Sequence, residues 1–250
     1  MIVFRVLVFM LFGFSATTVV ASCYSVMVYH GANPPYSYEE SGVYKGLFVD
    51  IFAAISEKTG LCFDYLPVSV ARGQKLFERG LIDIEPGMHA SWRVHSSNPG
   101  IYTIDYALSR EVILSTKPEL IETPKQLYGK VVGRVRGYTY LELEPHFNQD
   151  GDDDKIIIYD NTSEKELLAQ LQHQRFDYMM IGDITADYYR FRVPEYRNFY
   201  EVYEISRLPV GMRLQPNLQG LKARLDSALQ VLINEGEIAK IYASYGIRSH

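Results

Sequence analysis

Residues 28–60, VYHGANPPYSYEESGVYKGLFVDIFAAISEKTG, decide how the rest of the chain reads. The apolar run Val26 to Tyr29 has the length of a strand, and Asn33, Pro34, Pro35, Ser41 and Gly42 load the loop after it. From Leu47 the pattern turns helical: Leu47, Ile51 and Ile55 recur at i, i+4, i+8 with Phe48 and Phe52 beside them, and Gly60 stands where a left-handed C-cap belongs. The next apolar run, Cys62 to Val68, completes a strand–helix–strand unit, so the two strands are expected to be parallel neighbours joined by a right-handed crossover. In such sheets ligands bind at the loops past the carboxyl ends of the strands. The loop Asn33 to Tyr38 is therefore the first expected wall of a site.

Working outward, Ser69 is placed to cap a short helix over residues 70–79 that ends at Gly80. The stretch LIDIEPGMHASWR, residues 81–93, reads as a brief strand, a Pro-Gly turn and a polar loop that carries Arg93 on the same side as Asn33 to Tyr38. From Ile101 the character changes. Residues 101–108 lead into EVILS, 111–115, and a second α/β unit follows with strands at 131–135 and 156–159. The turn Gly137-Tyr138-Thr139 is expected to open a helix through about Phe147. The run DGDDD, residues 150–154, lacks the downstream Glu and the alternating spacing of a calcium loop and reads as a solvated turn. Ser163 with Glu166 forms a capping-box pattern that starts a helix over 164–175. A strand at 177–181 then ends at Gly182-Asp183. Extended chain at 200–207 and 209–212 precedes an amphipathic helix marked by Leu218, Leu221, Leu225, Leu229 and Leu232. The tail EGEIAKIYASYG, 235–246, is a second short helix whose apolar residues need a partner, and the first sheet is the natural one.

A chain of 250 residues with 47% hydrophobic and 22% charged residues can build one large core or two smaller ones. The formal charge of −5 and the absence of any basic stripe argue against a nucleic-acid partner. Twenty tyrosines against one tryptophan predict many half-buried rings, a few of them lining a pocket. Residues 1–21 have the pattern of a signal peptide: Arg5 is the only charge, Val6 to Phe14 is unbroken apolar sequence, and small residues follow. Cleavage after Ala21 competes with a lipoprotein-type cut before Cys23, so the expectation is an exported protein, soluble or tethered by a lipid at Cys23. Cys23 precedes the first strand and Cys62 opens the second. If those strands are parallel neighbours both sulfurs lie at one end of the sheet, and a disulfide between them is the alternative to lipidation.

Taken together, PPYSY, then Gly42 and Gly46 in G-x-x-x-G-L-F-V-D-I, ERGLIDIEPGM with an Arg shortly after, LYGKVVGRVRGYT, RFDYMMIGD and EGEIAKIYASYG form an ordered series over about 220 residues. That series resembles the family 3 extracellular solute-binding proteins, the periplasmic receptors of amino-acid uptake transporters. The resemblance implies the type II two-lobe fold, each lobe a sheet flanked by helices, with the chain crossing between lobes twice and ligand held in the cleft. Lobe 1 is then expected at 24–108 plus 208–250, and lobe 2 at 109–207. The implied partners are a small amino-acid-like ligand and the permease of a membrane ABC transporter, with the protein acting as a monomer without cofactor.

The resemblance also assigns residues. Arg93 matches the Arg that grips the ligand carboxylate, a task suited to a planar guanidinium, although Ala90-Ser91-Trp92 replaces the family's Thr-Pro-Glu. Thr139 matches the turn whose hydroxyl and free N–H groups complete that carboxylate site, with Tyr138 in place of its first Thr. Asp183 resembles the Asp that holds the ligand's amino group, and Tyr36 the ring that packs on the ligand side chain. Glu85 departs from the family, which has small or apolar residues there. Two readings are open for it: it points into the cleft and selects a cationic or polyhydroxylated ligand, or it faces solvent. Arg72 and Trp92 are further candidates. Two other functions compete: an exported enzyme of the cyclohexadienyl-dehydratase type on the same fold, with Glu85 as general acid, and a ligand-sensing module. Against an enzyme, the chain has no nucleophile-elbow motif, no clustered metal spacing and no phosphate loop.

Overall fold

The structure is a computed structural model that describes residues 23–29, 33–140, 142–148 and 154–247. The expected signal segment and most of the acidic run at 150–154 lie outside the described residues. Strand β1 (Tyr24–Tyr29) leads through a small hairpin, β2 (Tyr38–Glu40) and β3 (Val43–Lys45), into helix α1 (Leu47–Thr59). Leu47, Phe48, Ile51, Phe52 and Ile55 are its buried face, each contributing about 1.5–3 kcal/mol by leaving water. Gly60 ends it at φ 69°, donating to the Ser56 carbonyl. Gly46 begins it at φ 121°, where an added Cβ would stand 2.6 Å from the carbonyl oxygens of Pro35 and Tyr36. Those same carbonyls accept from Leu47 N and Phe48 N at 2.9 Å, so the first free N–H groups of α1 hold the loop that carries Tyr36.

Strand β4 (Phe63–Val68) pairs in parallel with β1, Tyr24 opposite Phe63 and Tyr29 opposite Val68, as the crossover pattern requires. Cys23 and Cys62 close the disulfide at one end of this pair, with Cα atoms 4.5 Å apart. Cys23 then has no free thiol for a lipid. Helix α2 (Val70–Glu78) follows. Ser69 occupies its N-cap position, but its side chain makes no capping bond. Next come β5 (Ile84–Met88), parallel to β1, a 3-10 turn over Ala90–Arg93, the short β6 (Ile101–Tyr102), and β7 (Ala107–Ser115). The second unit holds β8 (Val131–Val135), β9 (Ile157–Asn161), α3 (Glu164–Gln172), β10 (Tyr178–Gly182) and α4 (Asp183–Arg192). The long β11 (Tyr200–Leu214) returns, followed by α5 (Gln219–Asn234) and α6 (Glu237–Ser244).

Three expectations are corrected. Residues 137–147 form turns and one 3-10 turn, Glu144–His146, among their described residues, not an α-helix; Pro145 removes a helical N–H and clashes one turn back. The extended pieces at 200–207 and 209–212 are one strand, with Pro209 in register opposite Leu108. Asp183 does not merely end a strand but starts α4.

Among the described residues the main sheet has nine strands, in the order β4-β1-β5-β11-β7-β10-β8-β9, with β6 on β11. Its two ends are separate α/β lobes linked by the antiparallel pair β7 and β11, the two crossings that the resemblance implied. One core joins Val26, Ile51, Ile84, Leu225, Leu229 and Tyr242, so α5 and α6 pack on the first sheet as expected. Two cores lie on the faces of the second half, one around Leu114, Leu168 and Met179, the other around Ile113, Met180 and Val202. Alternation of Ile113 and Leu114 to opposite faces follows from the period of a strand.

Candidate functional site

Between the halves lies a cavity with about 770 Å³ of empty space, counted to its open mouth. Tyr29, Tyr36, Phe48, Trp92 and Arg93 line it from the first half, and Glu111, Tyr138, Thr139, Glu164 and Thr185 from the second. The halves also touch directly. Gln74 Nε2 donates to the Gly137 carbonyl at 2.6 Å, and the ring pairs Tyr29–Tyr138 and Tyr38–Tyr188 sit at 6.0 and 6.4 Å.

Tyr36, Arg93 and Thr139 are brought to this cavity together. Glu85 is placed differently from both readings: it is buried beneath the cavity wall and is not one of the lining residues. Its Oε1 accepts from Arg93 Nη2 at 2.6 Å and its Oε2 from Arg213 Nη1 at 2.7 Å, with the Tyr29 hydroxyl donating at 3.3 Å. Strand pairing dictates this arrangement, because Glu85 on β5 stands opposite Arg213 on β11. Burial alone would push the Glu85 carboxyl up, but the two guanidiniums, Arg93 first, hold it below the usual carboxylate range. Arg213 is itself fully buried, donates to the Pro99 carbonyl at 3.1 Å and covers the Phe77 ring at 3.9 Å. Arg93 has little left to offer: Nε and Nη2 face Glu85, and Nη1 donates to the Trp92 carbonyl at 3.1 Å.

Asp183 is also engaged. Its Oδ1 accepts from Ile184 N at 2.7 Å and its Oδ2 from Arg110 Nε at 2.9 Å, while Arg110 continues to Glu201 at 2.7 Å. Burial raises the Asp183 pKa, an effect Arg110 only partly offsets. Asp183 is not a lining residue, whereas its neighbours Gly182 and Thr185 are. Arg72 is exposed and outside the cavity; Trp92 lines it.

Two residues that sequence reasoning passed over are the unusual ones. Glu111 on β7 and Glu164 at the start of α3 both line the cavity, and each has an Oε2 sealed from solvent with no hydrogen-bond partner. Burial pushes both pKa values up to about 8, for Glu111 with help from Glu164 and Asp183, and for Glu164 against a hydrogen bond from Tyr138. Tyr140 and Tyr242 also reach the cavity and were not singled out by any motif.

These carboxyls dictate a pH dependence. In the unfolded chain they titrate near 4.5, in the folded protein at about 8. Between those values the folded state holds more protons, so stability is full below about pH 4.5 and falls as pH rises through 8, by up to about 1.4 kcal/mol per pH unit per group. Asp183, beside Glu111, acts in the same direction; Glu85, Glu201 and Glu204, all held low by arginines, act oppositely below that window. Thermal melts of ligand-free protein are expected to fall from pH 5.5 to 8, and to fall less in Glu164→Gln. A melting temperature that rises over this range contradicts the assignment.

A cavity walled from both sides by α/β lobes that two long strands connect defines a type II two-lobe binding protein. The sequence profile of the bacterial extracellular solute-binding proteins, family 3, matches residues 26–248, and the chain belongs to that family. Solved structures of similar fold include an ancestral arginine-binding protein bound to arginine, at 20% identity and TM-score 0.74, covering 89% of this chain and 97% of that one. The arginine-, lysine-, histidine-binding protein ArtJ of Geobacillus stearothermophilus matches at 19% identity and TM-score 0.73, covering 91% and 96%. An ABC uptake transporter substrate-binding protein of Streptococcus pneumoniae with bound histidine matches at 18% and 0.75, covering 89% and 92%. No curated protein sequence matches the chain.

Proposed function

We propose that the protein captures a small polar solute, an amino acid or related compound, by closing two lobes around it, and hands it to the permease of an ABC transporter in the periplasm. The observation that carries this reading is the cavity lined from both halves of the sheet. Lobe 1 would comprise 24–108 plus 208–250 and lobe 2 109–207, with β7 and β11 as the hinge. Capture would proceed without chemical turnover, in a monomer. The bound molecules of the structural relatives, arginine and histidine, set the size class. Tyr36, Arg93 and Thr139 are the proposed contacts from the original candidates, while Glu85 and Asp183 are proposed to position the site through Arg93 and through the start of α4.

Closure supplies the test. Gly137, at φ +96°, approaches α2 so closely that a Cβ would stand 2.9 Å from Ala71 N. In a thermal-shift screen of amino acids and amines, a solute at a hundred times its Kd stabilises by about 2.7 kcal/mol, an increase of roughly 5–10 °C for a chain of this length. Gly137→Ala is expected to weaken that solute at least tenfold by holding the lobes apart. A screen in which no small polar solute raises the melting temperature of the wild-type protein overturns the reading.

A further inference from the structure

We propose that the cleft selects a cation carrying amine or guanidinium groups and no carboxylate, seated on Glu111 and Glu164. The inference rests on the cleft being the solute site and goes further in naming the solute's charge. Glu164 is 2% exposed and lines the cavity, and its Oε2 has no hydrogen-bond partner; Glu111 lines it too, with an Oε2 equally unpartnered. A buried carboxyl with an unmet oxygen is costly, and a ligand donor is the group that would meet it. A cation meets it best: the charge-assisted hydrogen bond is about twice as strong as a neutral one.

The Arg93 side of the cavity argues against an α-carboxylate. Arg93 is the only basic side chain among the described lining residues. One edge of its guanidinium, Nε with Nη2, is already closed by Glu85, and Nη1 on the other edge donates to the Trp92 carbonyl. An anion arriving there must compete with a buried internal partner. The rings of Tyr29, Tyr36, Phe48, Trp92 and Tyr138 are also part of the wall, and aromatic faces attract ammonium and guanidinium groups but not carboxylates.

Isothermal titration of the purified protein with agmatine and cadaverine, each beside its carboxylated counterpart, arginine or lysine, and with glutamine as a neutral reference, tests this directly. At least one of the two carboxylate-free cations is expected to bind as tightly as its counterpart or more tightly. Glu164→Gln and Glu111→Gln keep the side-chain shape and remove the proton that a bound cation would displace, and each is expected to weaken that binding at least tenfold while raising the melting temperature of the ligand-free protein. Arginine and lysine each binding tenfold tighter than their decarboxylated partners overturns the inference, as does undiminished binding in both variants. Binding of glutamine alone also overturns it and leaves the solute-capture reading standing; no binding by any of the five overturns both.

Discussion

Glu85→Gln is expected to lower the melting temperature by about 10 °C, the largest effect of any single uncharging substitution in the site. The amide keeps the shape and cannot neutralise two guanidiniums. Arg93 is 6% exposed and Arg213 fully buried, and breaking a buried charge network by removing one partner costs about 3–5 kcal/mol because the remaining charges stay buried. In a chain of 150–250 residues each kcal/mol moves the midpoint by roughly 2–4 °C. Calorimetry of Glu85→Gln beside Arg93→Ala separates network from contact. Arg93→Ala leaves Glu85 still held by Arg213 at 2.7 Å and is expected to cost less. A shift below about 2 °C in Glu85→Gln refutes the role given to this carboxylate.

Opening the Cys23–Cys62 bond is the other large effect. The bridge spans a sequence separation of 39, for which the chain-entropy account gives about 4 kcal/mol, or again roughly 10 °C. Cys23→Ser and Cys62→Ser are each expected to reproduce the melting temperature of the wild-type protein under reductant. Should reductant leave the wild-type midpoint unmoved, the disulfide contributes nothing to the fold.

The fold was legible because its signals are local and redundant. Leu47, Ile51 and Ile55 mark α1, Gly60 stops it, and the apolar runs on either side have only one economical pairing. Where non-local pairing decides, local pattern fell short. Pro209 suggested a break in a strand that pairing with β7 carries through, and the turn signal at Gly137 did not reveal that Pro145 would end any helix beyond it. The site divides in the same way. Tyr36, Arg93 and Thr139 are assigned by the family resemblance, and the first two also sit in loops expected at the sheet's carboxyl edge. Glu85 could be seen as odd but not as neutralised, because its partner Arg213 lies far along the chain and meets it only through β5–β11 register. Glu164 looks like any first-turn acid of a helix, and Glu111 like a polar residue opening a strand. Only their burial at the cavity, with an oxygen left unpartnered, distinguishes them. The tyrosine excess did carry information: Tyr29, Tyr36, Tyr138, Tyr140 and Tyr242 all reach the cavity.

The bond from Gln74 to the Gly137 carbonyl and the paired rings Tyr29–Tyr138 and Tyr38–Tyr188 join protein to protein across the cleft. They favour the shut form whatever it contains, and so act on speed as well as strength. A solute can enter only while the jaws are apart, so each such contact shortens the time in which a passing molecule can be caught. It also lengthens the stay of one already inside. Loosening them by Gln74→Ala would trade residence for turnover. In a protein that captures and releases a solute, the latch between the jaws governs throughput as much as the pocket governs choice.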